Sequence, residues 1–312
     1  MNRIDRIAGA ERPWLTDGGI ETTLIFEDGF DLPLFAAYVL YETPEGRAAL
    51  ARYADRYLKL ASRSAPGFLL GTATWRANMG CAGQLGHDET AIRRINAEAV
   101  ALARAARAAW EREDFPILVD GIIGPAGDGY APGRPLAVAE AEALHHPQIE
   151  ALAAAGADLV TVLTMTQTGE AAGVARAARA TGIPAVISFT VETDGTLPDG
   201  SALADAIAAV EREAGEAVLW YGVNCAHPTH FQDRLSGDWT GRIGLVRANA
   251  SAKSHAELDE ATELDEGDPV EFGVLHGDLA RRLPGLRVIG GCCGTDHRHV
   301  GCAATGHRMG RA

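Results

Sequence analysis

The sequence predicts a closed (β/α)8 barrel, the TIM barrel architecture, folded as a single domain over residues 1–312. Two observations carry that expectation. Eight short apolar or β-branched runs recur along the chain with helix-forming stretches between them, the alternation that builds a parallel sheet. No low-complexity linker or internal repeat divides the chain, and α/β barrels commonly reach this length as one domain. An open doubly wound sheet is the competing arrangement, and a count of eight favours closure.

Strands are expected at 14–16, 68–72, 117–120, 159–163, 185–189, 218–223, 243–246 and 286–289. Helices are expected between them. Segments 44–64 and 89–113 are long and rich in Ala, Arg and Glu, and are followed by 147–155, 169–181, 202–214 and 269–283. Breakers mark the joins: Gly156, then Gly182 with Pro184, then Pro284 with Gly285 ahead of the last strand. The least regular connections are 121–146 and 249–268. The second carries seven acids (Glu257, Asp259, Glu260, Glu263, Asp265, Glu266, Asp268). It reads as a solvated loop, with an active-site lid as the functional alternative.

Composition narrows the function. At 47% hydrophobic and 22% charged residues the chain is an ordinary globular protein. A formal net charge of −14 repels a phosphate backbone or an anionic lipid surface, which argues against nucleic acid and membrane as partners. Residues 1–14 lack an apolar leader core and no run is long enough to span a bilayer, so a cytoplasmic location is expected. Five cysteines is an odd number, two are adjacent, and a chain of this size needs no disulfide staples. Reduced thiols are expected. There is no Gly-x-Ser-x-Gly elbow, His-Glu-x-x-His pair or Walker loop to support hydrolase chemistry.

Three of those thiols fall at strand ends. In a TIM barrel the loops after the strands form one rim, where side chains from distant parts of the sequence converge. Cys225 follows the sixth strand in Gly222-Val223-Asn224-Cys225, and Cys292 and Cys293 follow the eighth in Gly290-Gly291-Cys292-Cys293-Gly294. Three thiolates without a fourth protein ligand are the donor set of a catalytic zinc with one open position. The flanking Gly290, Gly291 and Gly294 are expected to give the backbone the freedom to turn adjacent side chains toward one ion. Zn2+ is therefore the expected cofactor. A free thiol, with a pKa of ~8.5, is deprotonated on coordination, which makes a zinc-bound substrate sulfur a nucleophile toward a methyl carbon. The bland alternative is a buried cysteine acting as a small hydrophobe, and Cys81 and Cys302, which have no such placement, read as structural or incidental. His227 and His230 offer a second alternative, since an imidazole could replace or support one thiolate.

A set of motifs extends the argument. Asp17-Gly18-Gly19 follows the first strand, Gly124-Pro125 the third, Ala155-Gly156-Ala157-Asp158 precedes the fourth, and Ser188-Phe189 lies at the fifth. With the two cysteine motifs, the second running on to Thr295, the chain resembles the zinc-dependent homocysteine S-methyltransferase family over nearly its whole length. The resemblance implies a (β/α)8 barrel, zinc on Cys225, Cys292 and Cys293, and homocysteine as the acceptor with methionine as product. It implies a small onium donor: S-methylmethionine, S-adenosylmethionine or betaine. It also implies that Asp17 and the amides of Gly18 and Gly19 hold the amino-acid end of homocysteine, a carboxylate pairing with the ammonium and glycine amides approaching the carboxylate. Asn224, next to Cys225, joins that substrate-binding set.

One departure stands out. After the fourth strand the family usually offers a Glu-Thr pair, whereas this chain reads Leu163-Thr164. Leucine accepts no hydrogen bond from an ammonium. Either Asp17 suffices, Thr164 substitutes, or the acceptor is a thiol without that amino group. Trp75, Tyr130 and Trp220 are the aromatic candidates for a donor site, through cation–π attraction. The partners expected are a small thiol and a methyl donor, in a stand-alone enzyme without a cobalamin or folate domain, and a homo-oligomer is compatible with the sequence. Two other readings stay open: the same zinc-thiolate transfer to a different small thiol, and a non-catalytic zinc-containing barrel that binds a metabolite.

Overall fold

The computed structural model describes residues 3–131 and 133–310, so the ends of the expected domain, residues 1–2 and 311–312, and Pro132 lie outside the described residues. Eight parallel strands close into a barrel in sequence order: β1 Trp14–Leu15, β2 Phe68–Gly71, β3 Ile117–Ile123, β4 Leu159–Met165, β5 Ala185–Phe189, β6 Val218–Asn224, β7 Ile243–Ala248 and β8 Val288–Gly291. Closure is made by Trp14 and Leu15 pairing with Val288 and Ile289 on one side, and Leu15 with Phe68 on the other. All eight expected runs become strands. β3, β4, β6, β7 and β8 continue past the expected ends, and the added residues include Thr164, Asn224 and Arg247. Apolar periodicity stops where the strands begin to carry the site.

The helix over Pro44–Ser64 starts where Thr43 accepts a hydrogen bond from the Gly46 amide, with Pro44 in the first turn, whose missing N–H costs nothing there. Asp88 caps Glu89–Trp110 by accepting from the Ala91 amide. The helix expected from 147 begins instead at Val138 and runs through Pro147 to Ala155. A proline inside a helix removes one backbone bond. The buried face holds the helix together regardless: His145 Nε2 lies 2.8 Å from Glu170 Oε1, and Gln148 Nε2 donates to the Thr74 carbonyl at 2.9 Å. Helix His297–Gly310, with no counterpart in the sequence reading, completes the eighth β/α unit. It packs so closely on Pro269–Arg282 that a Cβ at Gly306 would overlap the Gly273 carbonyl. Between β1 and Pro44 the chain folds into short helical turns over a satellite core of Leu24, Tyr38, Tyr41, Ile92 and Ile95.

The barrel interior is divided by height. One buried cluster takes Trp14, Leu69, Leu118, Leu159, Val186, Trp220, Leu245 and Val288 from the eight strands, with Ile122 and Leu163 further along β3 and β4 and Ile7 of helix Arg3–Ala8 joining it. Toward the strand C-termini the buried residues turn polar, with Asp17, Thr164, Ser188, Asn224 and Arg247, and Asp120 and Thr161 are buried polar residues within β3 and β4. Asp120 is 1% exposed. Burial pushes its carboxyl up to about 7, against the pull of nearby Thr161 and Arg247. The folded state therefore holds this proton more tightly than the unfolded chain does. The associated stability is complete below the unfolded value near 3.8 and is lost as pH rises through about 7. Asp120→Asn, which keeps the shape without the charge, is expected to melt at a higher temperature than the parent at pH 8, by roughly 2 °C or more. The difference should vanish near pH 4, as thermal melts across that range will read.

Candidate active site

β6 is followed by a residue whose backbone is held in an uncommon conformation. Cys225 has a φ of 53°, in the left-handed region that a residue with a Cβ seldom enters. Its amide donates to the Arg247 carbonyl at 3.1 Å. Its own carbonyl accepts from Asn249 Nδ2 at 3.2 Å and Thr190 Oγ1 at 3.3 Å, and lies 2.8 Å from His255 Nε2. Contacts from three separate segments over-determine the turn, which is the condition for such strain to persist.

Thr164, at the bulge near the end of β4, is also left-handed, with φ 62°. Its amide donates to Asn224 Oδ1 at 2.8 Å, Asn224 Nδ2 returns a bond to Thr164 Oγ1 at 2.9 Å, and Thr164 Oγ1 reaches Cys225 Sγ at 3.7 Å. Asn224 and Thr164 therefore shape the turn that aims Cys225.

The Cys292-Cys293 turn is fixed from both sides. The Cys292 amide donates to the Ala248 carbonyl at 2.8 Å, the Cys293 carbonyl accepts from the Ala250 amide at 3.1 Å, and Thr295 bonds back to the Cys292 carbonyl through its amide and hydroxyl. The glycines play a different part from the one expected. Only Gly294 uses the left-handed region, with φ 76°. Gly290 and Gly291 are extended strand residues, needed because a Cβ would overlap Thr16 and Thr295 respectively.

These turns bring the Sγ atoms of Cys225, Cys292 and Cys293 within 4.8 Å of one another, a group able to hold a metal ion. Cys225 and Cys292 are paired as a disulfide and Cys293 is free. The sequence reading expected thiols at all three. Sulfurs gathered closely enough to share a cation are also close enough to pair with each other, so the site has both chemistries within reach. A tetrahedral ion with metal–sulfur bonds of about 2.3 Å needs sulfurs roughly 4 Å apart, so the Cys225–Cys292 pair must be reduced and opened before the three sulfurs can share an ion. Tyr130 adds its hydroxyl 3.4 Å from Cys293 Sγ, and its ring stacks on His255 with centroids 4.1 Å apart.

The cysteines border a cavity of about 430 Å3 at the C-terminal end of the barrel, the face on which TIM barrel enzymes carry their active sites and a size suited to small ligands. Asp17, Gly18, Gly19, Leu163 and Thr164 line it with the three cysteines. Asp17 is already paired, its Oδ1 2.7 Å from Arg247 Nη2. Arg247 also donates to the Gly18 and Gly291 carbonyls at 3.1 Å each, and Tyr53 Oη donates to the Gly18 carbonyl at 2.9 Å. The Gly19 amide, expected to face a substrate carboxylate, is engaged by the Thr295 carbonyl at 3.0 Å. The β1 turn is built into the β8 turn, and that bond holds the two together.

Over residues 14–305 the chain matches the family model described as Homocysteine S-methyltransferase. It is 30% identical over 304 residues to the homocysteine S-methyltransferase of Escherichia coli (strain K12), which spans 90% of this chain and 91% of that one. The chain belongs to the homocysteine S-methyltransferase family. Among solved structures, the homocysteine methyltransferase MmuM from Escherichia coli in its oxidized form has a TM-score of 0.77 at 26% identity, covering 98% of this chain and 99% of that chain. The metallated form of that enzyme gives 0.76 at 25% identity, covering 97% and 99%.

As a member of the homocysteine S-methyltransferase family, this chain is a methyltransferase on a (β/α)8 barrel. Several expectations about its site need correction. Trp75 and Tyr130 line the cavity, but Trp220 does not. It is the third residue of β6, so it lies in the apolar layer at the far end of the barrel with Trp14. The Arg76 guanidinium already lies over the Trp75 ring at 4.2 Å. His227 stands outside the sulfur group, with Nδ1 2.8 Å from Thr229 Oγ1, and burial pushes its imidazole down to about 4. His230 Nε2 lies 2.9 Å from the Ala252 carbonyl.

Cys81 and Cys302 are free and apart from the sulfur group, as expected. The acidic 249–268 segment supplies one wall of the cavity through Leu258, Asp259, Glu263 and Asp265. Arg247, Glu21 and His255 were missed. The one available signal was Arg247 itself, a lone charge closing an otherwise apolar strand run. Asn224→Ala strands the Thr164 amide without its buried acceptor and is expected to cost about 1–3 kcal/mol. The loss should appear as a lower urea midpoint at unchanged slope.

Proposed function

We propose that this chain transfers a methyl group from a small onium donor to the sulfur of homocysteine, forming methionine, with zinc held by Cys225, Cys292 and Cys293. The observation that carries this reading is the convergence of three cysteine sulfurs from two strand ends on the wall of a cavity of about 430 Å3. When bound, zinc supplies the means of keeping the acceptor sulfur deprotonated at neutral pH.

The protein's own part is positioning. The left-handed Cys225 turn and the Thr295-locked Cys292-Cys293 turn fix the backbone of the donor set, so little ordering cost falls on binding once the Cys225–Cys292 pair is reduced. Tyr130, between His255 and Cys293, supports the sulfur from the cavity side. Leu163 and Ile122 give part of the cavity an apolar lining that limits water around the reacting sulfur. The acids of the 249–268 wall and Asp128 favour a cationic donor over an anionic one. The in-line displacement moves the methyl group from donor to thiolate, and the neutral leaving group departs with the bonding electron pair.

A second reading, the same transfer to a thiol without an α-amino group, is favoured by Leu163 and by the closure of Asp17 onto Arg247. Reduced, zinc-loaded protein is expected to form methionine from homocysteine with at least one of S-methylmethionine, S-adenosylmethionine and betaine. Methionine with none of them, against turnover of an amine-free thiol, would select the second reading. Cys293→Ser is expected to lose zinc on dialysis, read by elemental analysis, and to lower kcat/KM by at least about 100-fold, the upper end of what losing a mere ligand-orienting partner costs.

A further inference from the structure

The acids around the cavity differ in how far they are already satisfied. Asp17 is held by Arg247 at 2.7 Å, and the two form a buried pair of no net charge. Asp265 accepts from Ser251 Oγ at 2.8 Å and lies 3.2 Å from Lys253 Nζ. Asp128 caps its own turn, accepting from the Tyr130 and Ala131 amides. Asp259 and Glu263 belong to the acidic wall contributed by the 249–268 segment. Leu163 on β4 contributes no acceptor.

Glu21 is different. It lies in the turn Ile20–Thr22, directly after Asp17-Gly18-Gly19, and lines the same cavity. Among the described residues its carboxylate forms no salt bridge, as is true of Asp128, Asp259 and Glu263, but of these four it alone follows directly on the Asp17 turn. It is within Coulombic range of Cys293, Asp17, Arg247 and Arg76. Burial pushes its carboxyl up to about 7, with Asp17 adding to the rise and its own backbone amide, Arg247 and Arg76 opposing it. An α-amino acid whose sulfur sits at the cysteine group carries its ammonium only a few bonds away, within the cavity that Cys293 and Glu21 both line.

We propose that Glu21 is the specificity-determining residue of the acceptor site: it receives the ammonium of the thiol amino acid, because Arg247 holds Asp17 and Leu163 offers no acceptor. This rests on homocysteine being the acceptor. Selectivity for an amino thiol over its amine-free analogue is thereby assigned to one side chain, whose loss leaves the sulfur group and the Asp17–Arg247 pair in place.

The test uses reduced, zinc-loaded full-length protein as wild type, Glu21→Gln and Glu21→Asp. Homocysteine and 4-mercaptobutanoate, the same chain without the amino group, are compared by calorimetric binding and as methyl acceptors. Glu21→Gln is expected to weaken homocysteine binding roughly 10- to 100-fold, the worth of a charge-assisted hydrogen bond. KM should rise accordingly with kcat little changed, 4-mercaptobutanoate should be unaffected, and Glu21→Asp should recover part of the loss. Equal weakening of both thiols, or of neither, overturns the assignment.

The two proposals fail separately. Glu21-dependent binding of homocysteine without methionine formation would sink the methyl-transfer reading and keep this one. Methionine formation with no Glu21-dependent discrimination would do the reverse. No binding of homocysteine to the zinc-loaded wild type would overturn both.

Discussion

The buried ion pair between Asp17 and Arg247 is the contact on which the arrangement of the site depends. It joins the turn after β1 to the end of β7, and the same guanidinium reaches the Gly18 and Gly291 carbonyls. Two charges taken out of water are expensive unless their remaining donors and acceptors are met, and here most of the guanidinium's hydrogen bonds go to backbone of the two turns flanking the barrel seam. The pair therefore fixes where β8 delivers Cys292 and Cys293 relative to β1. It also decides which polar groups face the cavity, because a carboxylate locked to an arginine has little attraction left for an ammonium.

Much of the fold was legible because a barrel writes itself as a rhythm. Every expected strand formed, and the helix breaks at Gly156 and Gly182 fell where glycine adopts the left-handed conformation that ends a helix. What escaped was set by packing at a distance. Helix Val138–Ala155 tolerates Pro147 because its buried face is anchored to Glu170 and Thr74, residues outside its own sequence window. Helix His297–Gly310 has glycines where a local reading sees weak propensity, yet those glycines permit its close approach to Pro269–Arg282.

The site divides the same way. The three cysteines could be placed from sequence because their location at strand ends is a topological fact, and the topology was readable. Trp220 was misplaced for a related reason: height along a strand matters as much as membership of it, and the third residue of β6 cannot reach the C-terminal rim. The Asp17–Arg247 pair could not be foreseen, since nothing local links residues on the first and seventh strands. The same holds for the Gly19 amide, whose partner Thr295 comes from the last turn of the barrel.

The carbonyl of Cys225 gathers bonds from Thr190 after β5, Asn249 after β7 and His255 in the acidic segment. Its left-handed turn therefore depends on contacts that exist only where β5, β6 and β7 lie side by side, and its two companion sulfurs reach it only because β8 seals against β1. No part of the chain short of the closed barrel assembles the three sulfurs, so their convergence is a certificate that the barrel is complete.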